Sequence, residues 1–539
     1  MTLSKKMLCV AVSLIMILGA CFCLPVSADE YGGKVPVIFI HGQGSHLGIK
    51  QEDGSYQRVK GDDMSLEGTD LTGVLSENSD MILKAIATQD WTDFCKMVED
   101  YMVSQFGELA LGTDGMPVDG SESVINYTED YVRNRYLYGE KNLNCFWFVY
   151  DWRLDPTDNM ERLHDYAETI LKVTGSEKYA LAGRCEGACL LLTYWETYHD
   201  ERISDMIFYA SAAKGAIPVG EAFSGNMRID PDAVERCAYE TDMGLNIALG
   251  EDMIITDETV RDILRITSDI YCLDYACWAV NNVYEQICET VTPAALRKTF
   301  GTFPGFWAMC DDEYYEEAKQ VIFGGEEETY SKMIEKIDNY HYNIMNKAED
   351  IIKNAQESGV KVSDIVKYGF QSYPLSEHCD IQSDTIVRVD RAGFGTTCMK
   401  IGKTLGDSYL RNSFSDGDYR YISPDLAIDA STGLLKDSTW FIKNLKHKDF
   451  PESIDSLIFH IVNTEKPDAS NDREYPQYLF YSDEDDKLEP LVSTEKQTKL
   501  DEYNENNAKS FARIVKPVFK VLFKVITFLS KIFMLPARS

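Results

Sequence analysis

Short apolar runs alternate with amphipathic stretches along most of the chain. We predict buried strands at residues 35–40, 145–150, 179–182, 206–210, 366–370 and 438–443. Apolar residues at helical spacing predict helices at residues 80–106, 159–171, 188–198 and 452–460. Strands that alternate with helices in this order favour an α/β fold built on a mostly parallel, doubly wound sheet.

Three stretches interrupt this alternation. Residues 45–80 are polar and irregular. Residues 215–358 are patterned as helices without a strand pattern, so we predict a helical insertion between two parts of one core, residues 29–214 and 359–463. Residues 464–508 are acidic and polar and have no apolar period, which favours a linker.

The N-terminus has the features of a secretion signal. Lysines precede an apolar run over residues 7–23, and small residues stand at the positions required for cleavage after Ala28. We therefore expect residues 1–28 to be a signal peptide and the mature protein to be secreted or held in the cell envelope. Two alternatives stay open: a lipid on Cys21, as in a lipoprotein, and a retained transmembrane helix.

The charge distribution points to a membrane surface rather than to nucleic acid. The net charge of −35 argues against nucleic acid as a partner. Residues 509–539 nevertheless carry seven basic residues and no acidic one. At helical spacing the basic side chains share one arc and the apolar ones cover the opposite side, so we predict a basic amphipathic helix on an anionic membrane. A helix docked on the acidic body is the alternative.

The candidate chemistry centres on the segment that follows the strand at residues 179–182. Gly183-x-Cys185-x-Gly187 has the spacing of a nucleophile elbow, in which the central residue occupies a strained turn between a strand and a helix. The glycines are expected because a side chain at either position would collide with neighbouring backbone. A buried, chemically inert cysteine in a chance match to this short pattern is the alternative.

An oxyanion formed on such a nucleophile needs two converging backbone donors. The helix after Cys185 supplies the N–H of Glu186, and the loop after the first strand, His41-Gly42-Gln43-Gly44, supplies the N–H of Gln43. We expect His41 to hold this loop beside the substrate.

Residues around this segment carry a resemblance to a known family. Residues 148–156 read Phe-Val-Tyr-Asp-Trp-Arg-Leu-Asp-Pro, residues 162–164 read Arg-Leu-His, and the elbow follows about 30 residues after the Asp-Trp-Arg. Together with residues 297–307 (Arg-Lys-Thr-Phe-Gly-Thr-Phe-Pro-Gly-Phe-Trp) they resemble the lecithin:cholesterol acyltransferase family of α/β-hydrolases, which act on lipid esters. The chain departs from that family at the elbow, where the family usually has serine and this chain has Cys185.

The resemblance implies an α/β-hydrolase fold whose helical insertion, residues 215–358, forms a cap over the site. An acyl chain would then contact aromatic side chains of the cap, for which Tyr271, Trp278, Phe306 and Trp307 are candidates, and Trp152 of the core. We assign substrate contacts to Trp152, Phe306 and Trp307. Packing within the helices is the alternative for each of them.

The resemblance also implies the acid of a triad. Residues 380–387 (Asp-Ile-Gln-Ser-Asp-Thr-Ile-Val) resemble the acid loop of the family, so we predict Asp384 as the acid. The competing carboxylates are Asp380, Asp416 and Asp418. A carboxylate is required because it must accept the imidazole Nδ1 proton and stabilise the imidazolium.

The base is predicted from chain order. In this fold the nucleophile, the acid and the histidine follow one another, and His447 stands in the loop after the strand at residues 438–443. His378 and His164 are the alternatives.

These residues predict acyl transfer from an ester through a thioester on Cys185, by an O-acyltransferase or a lipase or esterase. No cofactor or metal is expected. The alternative is an inactive surface protein that has kept the scaffold. Three of the 14 cysteines lie in the signal peptide, so an odd number remains and at least one thiol is free. Cys379 and Cys398 are the first candidates for a disulfide.

Overall fold

The computed structural model describes most of the chain between residues 35 and 492. The described residues are 35–44, 46–62, 78–125, 127–138, 144–240, 246–248, 254–269, 271–413 and 419–492. The predicted signal peptide and basic amphipathic helix lie outside these residues, as do Asp416 and Asp418.

Fifteen strands occur in the described residues. They are Val37–Ile40 (β1), Leu47–Lys50 (β2), Tyr56–Arg58 (β3), Ser121–Ser123 (β4), Cys145–Phe148 (β5), Tyr179–Arg184 (β6), Ile203–Tyr209 (β7), Asn246–Ala248 (β8), Ile254–Thr256 (β9), Lys361–Tyr368 (β10), Thr397–Cys398 (β11), Ile428–Asp429 (β12), Thr439–Lys443 (β13), Tyr478–Ser482 (β14) and Lys487–Pro490 (β15).

Sixteen α-helices occur in the same residues. They are Ser79–Thr88 (α1), Thr92–Phe106 (α2), Glu129–Tyr138 (α3), Met160–Thr174 (α4), Gly187–Tyr198 (α5), Ile217–Ser224 (α6), Pro231–Glu240 (α7), Asp257–Asp269 (α8), Cys272–Leu296 (α9), Pro304–Trp307 (α10), Asp312–Phe323 (α11), Ser331–Asn343 (α12), Ala348–Glu357 (α13), Val389–Ala392 (α14), Asp407–Ser413 (α15) and Glu452–Asn463 (α16).

The main sheet has eight strands in the order β15-β14-β13-β10-β7-β6-β1-β5. All neighbouring pairs are parallel except β14 and β15. The predicted α/β class with a mostly parallel sheet is therefore confirmed. All six predicted strands are present, with ends that differ by a few residues.

Helices cover both faces of this sheet. In β1, Ile38 and Ile40 belong to one apolar core, whereas Val37 and Phe39 belong to the other. Successive residues of a strand point to opposite faces, so a strand buried on both sides is apolar throughout. Helices α4, α5 and α13 pack on the first face and α16 on the second. The sheet is therefore the middle layer of three.

The prediction that residues 45–80 are irregular is wrong for part of that stretch. Strands β2 and β3 form a small antiparallel sheet with β4. All three residues of β3 are exposed, so this strand has no buried face and leaves no apolar alternation in the sequence.

The insertion between β7 and β10 is mostly helical, as predicted, but one detail differs. Strands β8 and β9 form a short hairpin within it. Its last helix, α13, covers the sheet: the Trp195 indole on α5 donates to the Asn354 side chain at 2.9 Å. Helix α13 therefore packs against the core, and the boundary at residue 358 stays a prediction.

The predicted linker, residues 464–508, is wrong over its first half. Strand β14 pairs in parallel with β13, so β13 is not the last strand, and β15 pairs with β14. Tyr478, Leu479 and Tyr481 are buried there. The apolar run, residues 478–481, is only four residues long, and acidic residues on both sides of it obscured the strand in the sequence. Residues 493–508 lie outside the described residues.

The predicted disulfide does not form, because Cys379 and Cys398 are both free thiols. They lie in different surroundings: Asp230 and Arg236 are near Cys379, whereas Asp390 and Arg388 are near Cys398. In the part of the chain that the structure describes, none of the helices has the length and apolar character needed to cross a bilayer.

The added strands give a prediction about stability. Leu479→Ala should lower the free energy of unfolding by about 2–5 kcal/mol, because it removes a wholly buried side chain from the second core. Val492→Ala, at a side chain that is 74% exposed, is the matched control and should change it by less than about 0.5 kcal/mol. Urea denaturation of both variants measures the difference. Equal stabilities would mean that residues 464–492 are the loose segment predicted from their composition.

Candidate active site

Cys185 lies at the carboxyl end of β6, in the turn that leads into α5. Its backbone is left-handed, with φ at 54°, a conformation that costs free energy for any residue with a Cβ. The Cys185 N–H donates to the Tyr209 carbonyl at 3.1 Å, and the Cys185 carbonyl accepts from Ala188 and Ala212. These bonds to α5 and to the strand beside β6 hold the strained residue in place. The residue as a whole is partly buried.

The two glycines of the motif allow this turn to form. A Cβ on Gly183 would lie 2.5 Å from the Gly187 carbonyl oxygen, and a Cβ on Gly187 would lie 2.5 Å from the Ile40 carbonyl oxygen. Both distances are shorter than van der Waals contact. Strand β6, helix α5 and the end of β1 therefore meet at a spacing that only glycine permits, as the spacing of the motif predicts.

His447 and Asp384 come from the loops after β13 and β10 and meet beside Cys185. The His447 Nδ1 lies 2.7 Å from Asp384 Oδ2. The backbone N–H of His447 also donates to the backbone carbonyl of Asp384 at 2.7 Å. The imidazole also lies close enough to Cys185 for each group to shift the pKa of the other. Because Nδ1 faces the carboxylate, Nε2 is the nitrogen left for the sulfur. The three residues that were predicted separately thus lie together, with His447 between Asp384 and Cys185.

Asp384 is held as a carboxylate. Its Oδ1 accepts from the N–H groups of Ile386 and Val387 at 3.0 and 2.8 Å. Burial alone would raise the pKa of Asp384, but His447 and these donors outweigh it and lower that pKa. The anion therefore persists although its side chain is almost wholly buried.

The thiol and the imidazole shift in opposite directions. Burial raises the pKa of Cys185, but His447 and Arg184 outweigh it and the pKa falls below its ordinary value. Burial lowers the pKa of His447, but Asp384 and Cys185 outweigh it and raise the pKa to about 9. Near neutral pH these shifts favour a thiolate paired with an imidazolium, which is the reactive form of a cysteine nucleophile.

The other candidates for base and acid have different partners. His164 lies on α4, where its Nδ1 is 2.9 Å from the Tyr194 hydroxyl. Asp380 forms an ion pair with Lys400 at 2.8 Å. The His378 carbonyl oxygen accepts a hydrogen bond from the Ile381 N–H, in the turn before the acid loop. Among the described candidates, the structure brings only His447 and Asp384 to Cys185.

The predicted oxyanion donors lie at the elbow. The Glu186 N–H interacts with the Cys185 sulfur and lowers its pKa. The loop that carries Gln43 passes close by, since a Cβ on Gly42 would lie 3.9 Å from Cys185 Sγ. Within the described residues, the Gln43 N–H has no hydrogen-bond acceptor, and the Glu186 N–H interacts with the Cys185 sulfur alone. An oxygen of a substrate bound at the sulfur could therefore accept from both.

The Glu186 side chain has an environment that the sequence did not predict. It is wholly buried, and neither carboxyl oxygen has a hydrogen-bond partner in the described structure. Burial, with Cys185 and Asp151 nearby, raises the pKa of Glu186 well above its ordinary value. An adjacent carboxylate would be expected to disfavour a thiolate on Cys185. A neutral carboxyl group at Glu186 does not have this effect.

His41 lies beside the elbow as predicted. Its ring is half-buried, 5.5 Å from the Trp147 ring, and its carbonyl oxygen lies where a side chain on Gly187 would collide. Burial and Arg184 lower the pKa of His41, which keeps the imidazole neutral. This is consistent with an imidazole that holds the loop.

The substrate contacts predicted for the three aromatic residues are not supported. Trp152 and Trp307 are 0% and 1% exposed, and Phe306 is 7% exposed, because they pack into one apolar cluster. The Trp152 indole instead donates to the Gly44 carbonyl at 3.0 Å and holds the oxyanion loop. Tyr271 and Trp278 are largely exposed on the insertion.

Two cations lie near His447: Arg184, which the sequence already suggested as a group that lowers the thiol pKa if it points inward, and Lys367, which was not identified from the sequence. Arg184 and Lys367 both donate to the His447 carbonyl oxygen, at 2.8 and 3.0 Å. Lys367 follows a valine inside the predicted strand at residues 366–370. A charged residue within a buried strand is the signal that could have identified it.

Comparisons with known proteins leave the family open. No family model and no curated protein matches the chain. A solved structure described as the crystal structure of the Tle4-Tli4 complex is similar over 62% of this chain and 75% of that chain, with 11% sequence identity and a TM-score of 0.23. A likeness at that TM-score carries no argument about function, and the resemblance to the lecithin:cholesterol acyltransferase family stays a prediction.

The elbow glycines give a prediction about the site. Gly187→Ala should reduce alkylation of Cys185 by iodoacetamide at least about tenfold. The added Cβ collides with the Ile40 carbonyl oxygen and so distorts the elbow. Gly406→Ala, at an exposed glycine with no atom near the added Cβ, is the control and should leave the rate unchanged. Mass spectrometry of the Cys185 peptide measures the rate. Unchanged alkylation in Gly187→Ala would show that Cys185 does not depend on this close approach.

Proposed function

We propose that the chain is an acyl-transfer enzyme of the α/β-hydrolase fold, an O-acyltransferase or a lipase or esterase, that acts on lipid esters through Cys185. The observation that carries the proposal is that His447, hydrogen-bonded to Asp384, lies beside Cys185 at a strained elbow. The strand order supports this fold, because the elbow ends a central parallel strand and the acid and histidine loops follow strands on one side of it.

The first half of the reaction transfers the acyl group to sulfur. The Cys185 thiolate attacks the ester carbonyl carbon, and the C=O electron pair moves to oxygen. The N–H groups of Glu186 and Gln43 stabilise this oxyanion. When it collapses, the ester C–O bond breaks, His447 gives its proton to the departing alkoxide, and a thioester remains on Cys185.

The second half returns the enzyme to its resting state. His447 accepts a proton from water or from an acceptor alcohol, whose oxygen attacks the thioester carbonyl. The C–S bond then breaks and the thiolate is restored beside the imidazolium. Water as acceptor gives hydrolysis and an alcohol gives a new ester, so the same residues support both reactions. Asp384 fixes the imidazole tautomer and stabilises its charge throughout.

The insertion between β7 and β10 forms part of the wall behind the nucleophile. A Cβ on Gly305 would lie 2.0 Å from the Trp152 carbonyl oxygen and 2.9 Å from Glu186 Oε1. Segment 297–307 is therefore packed directly against the elbow. This contact supports a cap that belongs to the active site rather than a separate module.

The lipid substrate, export and membrane binding rest on the sequence. The resemblance to the lecithin:cholesterol acyltransferase family implies a lipid ester, and residues 509–539 predict attachment to an anionic membrane. An inactive surface protein is the alternative. The strained elbow and the paired, buried His447 and Asp384 favour an enzyme, because a strained backbone and a buried ion pair each cost stability.

Replacing the nucleophile tests the proposal. Cys185→Ala should lower kcat/KM for p-nitrophenyl and phospholipid esters at least about 10³-fold, since it removes the atom that forms the covalent intermediate. The control is Cys288→Ala on α9, which removes the thiol of another partly buried residue and should retain activity. The full-length protein is used, with anionic vesicles for the phospholipid assay.

Two results would contradict the proposal: ester turnover by Cys185→Ala at the wild-type rate, or no turnover by the wild-type protein on any of these esters.

A further inference from the structure

Lys367 is a buried cation near the C-terminal end of β10. Its side chain is 1% exposed. The Nζ donates to the carbonyl oxygens of Lys446, His447 and Asp449 at 2.8, 3.0 and 2.7 Å. All three acceptors belong to the loop between β13 and α16, which carries the histidine of the site.

The three carbonyl acceptors define the protonation state that the geometry favours. An ammonium has three N–H donors, whereas a neutral amine has two. Burial outweighs the opposing effects of Asp384, Asp449 and Cys185, and the pKa of Lys367 falls to about 7. The ammonium faces these three groups and Arg184. It also faces the Tyr209 ring, whose centroid lies 4.6 Å from Nζ. Lys367 is therefore a charge buried among the charges of the site.

Arg184 provides a second cation from a different strand. It donates to the same His447 carbonyl oxygen at 2.8 Å and lies next to Cys185 in the chain. The two cations accompany two anions, the Asp384 carboxylate and the Cys185 thiolate, around the His447 imidazolium. The charge of Lys367 also lowers the pKa of Asp384.

We propose that Lys367 is a positioning residue of the active site: its ammonium holds the loop so that His447 lies between Asp384 and Cys185, and its charge stabilises the thiolate. This inference rests on the proposed function for its catalytic meaning. Its geometry concerns only the loop, the histidine and the sulfur, so it has a readout that needs no ester.

A purely structural lysine on the same strand supplies the matched control. Lys361, at the start of β10, donates to the carbonyl oxygens of Val462 and Thr464 at 3.0 and 2.9 Å and pairs with Asp205 at 2.8 Å. It binds main chain at the far end of α16, as Lys367 does at the near end. The two lysines differ in that only Lys367 faces the site.

The experiment compares Lys367→Met and Lys361→Met in the full-length protein. The rate of alkylation of Cys185 by iodoacetamide is followed against pH, on the peptide that contains it. In Lys367→Met the apparent pKa of Cys185 should rise by about one unit, with alkylation about tenfold slower at neutral pH. Lys361→Met should keep the wild-type profile. Lys367→Arg, which keeps the positive charge, should have a Cys185 pKa closer to the wild-type value than Lys367→Met has.

The outcomes separate the role in positioning from one in folding. A Lys367→Met profile that coincides with wild type, or an equal shift in Lys361→Met, would overturn the proposal. If Lys367→Met does not fold, Lys367→Gln, which also lacks the charge, is measured for the same shift. If Lys367→Met shows the shift but the wild-type protein turns over no ester, the result counts against the proposed function and leaves the role of Lys367 supported.

Discussion

The close approach of three main-chain segments at Cys185 is the constraint on which the site depends. Strand β6, helix α5 and the end of β1 meet where Gly183 and Gly187 leave no room for a Cβ. The left-handed turn between these glycines places the thiol at the carboxyl edge of the sheet. In a parallel sheet the loops that follow neighbouring strands gather at this same edge, and there His447, bound on its other nitrogen by Asp384, lies beside the sulfur. The chemistry is therefore a consequence of how tightly the elbow packs.

The second requirement is electrostatic. A thiolate, an imidazolium and a carboxylate are all largely buried, and isolated charges in such an environment would be neutralised. Here each charge has a partner: His447 lies between the two anions, and Arg184 and Lys367 bind the main chain of its loop. The Glu186 carboxyl, whose oxygens have no hydrogen-bond partner in the described structure, has a pKa raised well above its ordinary value. The pattern of neutral and charged groups thus leaves the negative charge on the sulfur.

The sequence predicts the core of this arrangement because that core is local. Apolar runs identify the main parallel strands, and the motif around Cys185 identifies the turn from its own glycines. Chain order and family resemblance then select His447 and Asp384. The sequence fails where burial is decided by distant partners: Trp152 and Trp307 are packing residues, and β14 is hidden within acidic residues. Lys367 was missed for the same reason, since its acceptors are carbonyl groups about 80 residues away in the chain.

The central claim is that an acyl group passes through a thioester on Cys185, and trapping that intermediate tests it most directly. The full-length protein is mixed with an activated ester, quenched in acid within one turnover and digested, and the peptides are identified by mass spectrometry. The account predicts one acyl group on the Cys185 peptide, which disappears when hydroxylamine is added or when His447 is replaced by glutamine. Acylation of other residues with an unmodified Cys185, while ester is consumed, would contradict it.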